Sequence, residues 1–211
     1  NTEADKLKLV RDTAEYVIAV ESVDLVLSQK ADIIRRVYAE LFTYGPIDGL
    51  LQNSSLTSLL IEGADKVSIR RGHNDLEKLS PIFDDNAHFQ KVLNRMLIDA
   101  GVELDPEIPI MEFGLTVDGR PIGINLVLPP VTYQPVMDIR IHPKELQDFR
   151  AVLDGFQVDE KVAVLLEAIT KSKFGFIIAG DTESGKTTFL SAISQILPET
   201  KITSVERSGE L

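Results

Sequence analysis

The chain has 211 residues, 44% hydrophobic and 26% charged, an ordinary composition for a folded protein with one large or two small cores. Its net charge of -11 argues against nucleic acid as a general partner, because such binding rests on lysines and arginines neutralising phosphates. The absence of cysteine excludes disulfides and thiolate metal sites and fits a reducing cytoplasm, and His73, His88 and His142 lack metal-ligand spacing.

No apolar run approaches the roughly 20 residues that a membrane span requires, and no signal-peptide pattern opens the chain. It begins at Asn1 rather than Met and stops at Glu210-Leu211 after a strand-like segment, so it reads as a fragment of a longer protein.

Residues 1–45 read as helices. Apolar residues recur at Leu9, Val10, Ala14, Val17 and Ile18, and again at Ile33, Ile34, Val37, Leu41 and Phe42. Both sets follow the 3.6-residue period, over Leu7 to Val20 and Ser28 to Tyr44. Gly45-Pro46 breaks the pattern and opens a mixed α/β region over 46–142. Within it, Leu56 to Ile61 is a short apolar run, and Val67 and Ile69 alternate with polar residues as in a half-buried strand. Asp85 caps an expected helix to about Ala100, with Phe89, Val92, Leu93, Met96 and Leu97 on one face and Gly101 as its stop. Met111 to Leu128 reads as two strands joined at Asp118-Gly119, and Val136 to Ile141 as another.

The polar stretch 143–157 reads as a linker before a last unit, 158–211. Asp159 caps a helix through Val162, Leu165, Leu166 and Ile169. The uncharged run Phe174 to Ala179 is expected to be a strand buried on both faces. An amphipathic helix follows, with Phe189, Leu190, Ile193, Ile196 and Leu197 on its apolar side and Pro198 at its end, then a strand at Ile202 to Val205.

Between strand and helix lies Gly180-Asp181-Thr182-Glu183-Ser184-Gly185-Lys186-Thr187, which fits G-x-x-x-x-G-K-[ST] at every fixed position. The spacing has a physical reason. A buried strand delivers the chain to a tight turn whose backbone N–H groups form an anion nest. The helix N-terminus adds unpaired N–H donors and the positive end of its dipole. Lys186 is placed to reach the β- and γ-phosphates of a nucleoside triphosphate, and the Thr187 hydroxyl to ligate Mg²⁺. A chance glycine-rich turn is the bland alternative; the strand before and the helix after argue against it. Asp181 and Glu183 put carboxylates beside the phosphates, and a positive φ at Glu183 would cost roughly 1 kcal/mol relative to glycine.

Six segments together resemble the type II/IV secretion-system ATPase family, and within it the tight-adherence (Flp) pilus assembly ATPases. They are Tyr44-Gly45-Pro46-Ile47-Asp48-Gly49-Leu50-Leu51, Leu60 to Val67, Ile124-Asn125-Leu126-Val127-Leu128-Pro129-Pro130, Ile139-Arg140-Ile141-His142, Ser184-Gly185-Lys186-Thr187-Thr188-Phe189-Leu190, and Ser204 to Leu211. The resemblance implies an α+β N-terminal domain followed by the start of a RecA-like α/β P-loop domain, here truncated. It implies an ATPase with ATP and Mg²⁺ as cofactors, nucleotide held between the two domains, and Thr188 beside the phosphates. It implies a homohexameric ring, cytoplasmic and peripheral at the inner face of the cell membrane, working with inner-membrane platform proteins. Arg140 is the candidate for an arginine that approaches the phosphates, and Glu206 for the acidic box.

The chain departs from that family at three places. Glu183 stands where the loop usually has glycine, and Arg207 replaces the aspartate of the acidic box. The arginine expected before Asn125 falls on Gly123, with Arg120 nearby but out of register. These departures support a second reading, a scaffold or regulatory subunit that binds nucleotide without turnover. A phosphate-loop kinase or GTPase fits less well, since those open with the loop. Preference for adenine over guanine, and the transported substrate, are not legible.

Overall fold

The computed structural model of the chain describes residues 2–72, 74–144, 148–172, 175–181, 184–197, 203 and 205. Its elements are α1 (Glu3–Val20), α2 (Leu27–Phe42), a 3-10 turn at Gly45–Ile47, α3 (Asp48–Leu51), β1 (Ser58–Glu62), β2 (Lys66–Arg70) and β3 (Glu77–Leu79). There follow α4 (Asn86–Ala100), β4 (Ile110–Val117), β5 (Arg120–Val127), β6 (Val136–Ile141), α5 (Phe149–Gly155), α6 (Glu160–Lys171) and α7 (Lys186–Ile196).

The six strands form one sheet in the order β3-β2-β1-β6-β5-β4, antiparallel at each junction. Strand alternation sorts its side chains. Leu59, Ile61, Val67, Ile69, Ile122, Ile124, Leu126, Met137, Ile139 and Ile141 all face the core and are buried. α4 lays Phe89, Val92, Leu93, Met96 and Leu97 into that core, and Leu51 and Leu56 close one end. The opposite face carries Ser58, Leu60, Ser68, Arg70, Asp138 and Arg140 on the central strands. Asp118 and Gly119 both take positive φ, as the tight turn between β4 and β5 requires. Asp85 accepts from the His88 N–H as the cap of α4, and Gly101 ends that helix at φ 66°.

α1 starts with a capping box between Thr2 and Asp5 and buries Val10. α2 is docked at its C-terminal end by three groups of the following unit. Arg95 donates to the carbonyls of Glu40 and Thr43, His88 Nε2 lies 3.0 Å from the Glu40 carboxylate, and the Tyr44 hydroxyl donates to Asp99 at 2.9 Å. Burial first, and the Asp99 carboxylate second, hold the Tyr44 phenol protonated well above its ordinary range. Because that shift is upward, the contact is intact at neutral pH and is lost only as pH rises into strong alkali. Tyr44→Phe is expected to cost about 1 kcal/mol in urea unfolding at neutral pH. An unchanged midpoint would mean that water replaces the phenol without cost.

A second apolar cluster joins α5, α6 and α7 through Phe149, Val152, Leu153, Ala163, Ala192 and Ile193. Two expectations are corrected here. Residues 149–155, read as linker, form a helix: Phe149, Val152 and Leu153 share one face and are buried. Residues 175–179, expected as a doubly buried strand, are not in regular structure, and Ile177 is 94% exposed. A strand exists only through a neighbour's hydrogen bonds, and no described residue pairs with this segment. The strand expected at Ile202 to Val205 lies mostly outside the described residues, as does Pro198.

Candidate functional site

Three features build the site: the loop that opens α7, the N-terminus of α7 itself, and the polar face of the sheet. Gly185 is the N-cap of α7 at φ 84° and ψ 16°. A Cβ on Gly185 would stand 2.6 Å from Cζ of Phe156, and one on Gly180 would stand 2.7 Å from the Ser184 hydroxyl. An added Cβ at either position would press on a side chain that has to move aside, and Gly185 needs glycine for its backbone angle. Ser184 N–H donates to the Asp181 carbonyl at 3.2 Å, which closes the turn, and Phe189 N–H donates to Gly185 at 2.9 Å, which starts the helix. The first turn of α7 carries no acidic residue to compete for its N–H groups.

Lys186 lies half-buried at the head of α7, and its ammonium donates to the Asp181 carbonyl. The ammonium is thus folded over the mouth of the loop, where a phosphate oxygen is the natural replacement for that carbonyl.

The loop faces the sheet across a cleft of about 580 Å³. Ser184, Gly185, Lys186, Thr187 and Thr188 form one wall, and Ser58, Arg70, Asp138, Arg140 and His142 lie on the other. The volume is in the range of small-molecule sites. Its charged lining among the described residues is Arg70, Arg140 and Lys186 against Asp138, an excess that suits a polyanion. His142 Nε2 is buried with no hydrogen-bond partner among the described residues, a polar atom that a ligand would satisfy. These features fit a nucleotide's phosphates.

Of the residues expected from the sequence, Ser184, Gly185, Lys186, Thr187, Thr188 and Arg140 are brought to one cleft. Gly180 and Asp181 belong to the same loop but not to the cleft lining. Thr182, Glu183, Glu206 and Arg207 lie outside the described residues. Arg70, Ser58 and Asp138 carry no sequence signal for this site, and His142 was named for it only as the end of the segment that holds Arg140. Alternation put Arg70 on the polar face of β2, but which surface that face meets is settled by tertiary packing. Among the described residues no group of three or more acidic or histidine side chains could hold a metal.

A larger cavity of about 1020 Å³ opens between α2, Gly45–Leu50 and the start of α4. Arg35, Arg36 and Lys91 alternate there with Glu40, Asp48 and Asp84, so its charges cancel and it has no preference for an anion.

A family model described as type II/IV secretion system protein matches residues 40–211. A putative conjugal transfer protein of Mycobacterium tuberculosis strain H37Rv is 30% identical over 183 residues, 84% of this chain and 52% of that protein. The probable conjugal transfer protein TrbB of Sinorhizobium fredii is 27% identical over 170 residues, 76% of this chain and 50% of that protein. The chain spans about half the length of these curated relatives. Among solved structures, the VirB11 ATPase from the Brucella suis type IV secretion system, in complex with sulphate, overlays at a TM-score of 0.37 and 18% identity, over 72% of this chain and 53% of that one.

Proposed function

The chain belongs to the type II/IV secretion system protein family, and we propose that it is the ATP-binding and ATP-hydrolysing motor subunit of such a system, of the kind that assembles Flp-type pili. One observation carries this reading: a G-x-x-x-x-G-K-[ST] loop opens α7 and looks across a cleft at Arg140. The Flp assignment rests on the six sequence segments; the relatives named above are conjugal transfer proteins, which speak for the wider family.

In this reading the unit 158–211 is the start of a RecA-like domain, and the unit 46–142 is its partner across the nucleotide. The backbone of 180–185 and the N-terminus of α7 hold the phosphates. Lys186 exchanges the Asp181 carbonyl for phosphate oxygens, and Thr187 and Thr188 stand next to them, with the Thr187 hydroxyl directed to Mg²⁺. Arg140 closes on the phosphates from the sheet. Glu206 would supply the acidic group. Mg-ATP supplies the phosphoanhydride bond whose cleavage drives the two units against each other. A homohexameric ring on the inner-membrane platform, reached from the cytoplasm, completes the proposal. Among the described residues no helix is long and apolar enough to cross a membrane.

The test is Mg-ATP titration calorimetry on the full chain and its Lys186→Ala variant. The variant is expected to lose about a hundredfold in affinity, the worth of a charge-assisted contact in a partly desolvated cleft. Equal affinity in the two proteins would sink the site. Arg207, standing where the family has an aspartate, keeps the scaffold reading alive. Binding without phosphate release would favour it over the motor.

A further inference from the structure

The two edges of the sheet differ. β3 has three residues and carries Lys78, the short and charged form in which edges are usually protected. β4 has eight residues, none of them proline or lysine, and pairs with β5 in an unbroken register from Ile110↔Val127 to Val117↔Arg120. That register also fixes which backbone groups of β4 are free. Val117 and Arg120 flank the two-residue turn Asp118-Gly119, so they form a hydrogen-bonded pair, and bonded and non-bonded pairs alternate from there. Met111, Phe113, Leu115 and Val117 thus bond to β5, and Ile110, Glu112, Gly114 and Thr116 turn their N–H and C=O groups outward. Pro121, opposite Thr116, agrees with this alternation: its carbonyl accepts from the His142 N–H at 3.0 Å, on the side of β6. Among the described residues no strand lies beyond β4.

The surface beside this edge is acidic and apolar at once. Between Gly101 and Gly119 the chain holds Glu103, Asp105, Glu107, Glu112 and Asp118, and no lysine, arginine or histidine. Asp118 is paired with Lys144 at 3.4 Å. The other four carboxylates are exposed and make no ion pair among the described residues. Leu104, Ile108 and Ile110 are exposed in the same stretch. We propose that the outer edge of β4 is a docking site for an extended, basic segment of a partner protein, which joins the six-stranded sheet as a further strand. Main-chain bonds to Ile110, Glu112, Gly114 and Thr116 supply the pairing. Lysine or arginine side chains alternating with apolar ones in that segment meet the carboxylates on one side and the exposed leucine and isoleucines on the other. Charge selects this occupant over a second copy of the chain. Two β4 edges side by side bring the same carboxylates together, between chains that each carry a net charge of -11. Glu112 makes that selection within the strand itself, because it lies between two of the outward-facing positions.

The probe is a fluorescent peptide of alternating lysine and valine, matched in length to β4 and titrated into the full chain. Anisotropy gives its affinity, and residue-level amide hydrogen exchange gives its place. Binding is expected to slow exchange at the outward amides of Ile110, Glu112, Gly114 and Thr116 by at least about tenfold. Two control peptides separate pairing from charge. One is N-methylated at all its central amides, which keeps the charge and blocks pairing on either edge; the other carries glutamate in place of lysine. Both are expected to bind at least about tenfold more weakly. Thr116→Pro removes one outward N–H and spares the ladder to β5, so it is expected to lose roughly fivefold to tenfold. Glu103→Gln, Asp105→Asn and Glu107→Gln together are expected to lose roughly threefold to tenfold at low salt. Asp12→Asn, Glu15→Gln and Glu21→Gln together remove as many exposed carboxylates from the α1 region and are expected to change affinity less than about twofold. Equal binding of the N-methylated peptide overturns the proposal, because charge alone then attracts the probe. So does a lysine peptide that fails to bind, or one that binds without slowing exchange along β4. Slowed exchange at the same amides that deepens with protein concentration, with no peptide present, hands the edge to a second copy and also overturns it. Matched thermal unfolding shows that Thr116→Pro remains folded; if it does not, the carboxylate variants and the N-methylated peptide decide.

Discussion

Arg120→Met is expected to lower the stability of the protein by about 3 kcal/mol, and to leave nucleotide affinity of the folded protein within about twofold of native. Arg120 is 6% exposed, and among the described residues no carboxylate pairs with it. Its guanidinium is satisfied by backbone oxygens instead. Nη1 donates to Leu51 at 3.1 Å and Asn53 at 2.9 Å, Nη2 to Leu56 at 3.5 Å, and Nε to His142 at 3.2 Å. One side chain thereby ties the turn after α3 to the ends of β5 and β6. Methionine of similar length fills the space but leaves the carbonyls of Leu51 and Leu56 buried without a donor, at about 1–3 kcal/mol each. Relief from burying an unpaired cation offsets part of that cost. Lysine fits the charge but not the fork, so Arg120→Lys recovers less than half. Urea unfolding followed by tyrosine fluorescence is the measurement. The chain has no tryptophan, and Tyr44 sits against the same core. A loss below about 1 kcal/mol would mean that water enters and satisfies those carbonyls.

The sheet unit was legible because its elements carry their own local signals. The apolar stripe of α4, with Asp85 before it and Gly101 after it, needs no tertiary information to be read. The same holds for the alternation in β2 and for Asp118-Gly119 between β4 and β5. β3 has only Leu79 to mark it among Glu77 and Lys78, so its existence depends on pairing with β2. α5 was hidden because seven residues are too few for a periodic signal to stand out from a polar setting. The apolar run 175–179 misled for the opposite reason. Its composition states a preference for burial between strands, but Ile178 packs against the α5–α7 cluster and no described strand flanks the run. The loop was read from its spacing together with the strand expected before it and the helix after it; the helix is α7, and the strand is not seen. Arg70 lies far from the loop in sequence, and only the register β2-β1-β6 puts it on the face of Arg140, with Ser58 between them.

Gly185→Val is expected to remove measurable Mg-ATP binding while leaving the sheet unit folded, and the reason can be divided into two parts. At φ 84° a residue with a side chain costs roughly 1–2 kcal/mol, and a β-branched residue more. The added Cβ would also meet Cζ of Phe156 at 2.6 Å. That contact is with the far end of a ring that is itself 48% exposed, so the ring has room to turn aside. The backbone angle has no such escape, because Gly185 must both end the loop and cap α7. If φ moves to negative values, the N–H groups of Gly185 and Lys186 rotate away from the point where a phosphate would sit, and the nest is lost. The double variant Gly185→Val with Phe156→Ala separates the two parts. Relief of the ring alone is expected to return less than about tenfold of the lost affinity, since the angular cost remains. Gly185→Ala alone is expected to fall between native and valine. Calorimetry gives the affinities, and the tyrosine signal of the sheet unit gives the control. Native affinity in Gly185→Val would mean that side chains rather than loop backbone hold the phosphates, and the weight would pass from the loop to Lys186 and Arg140.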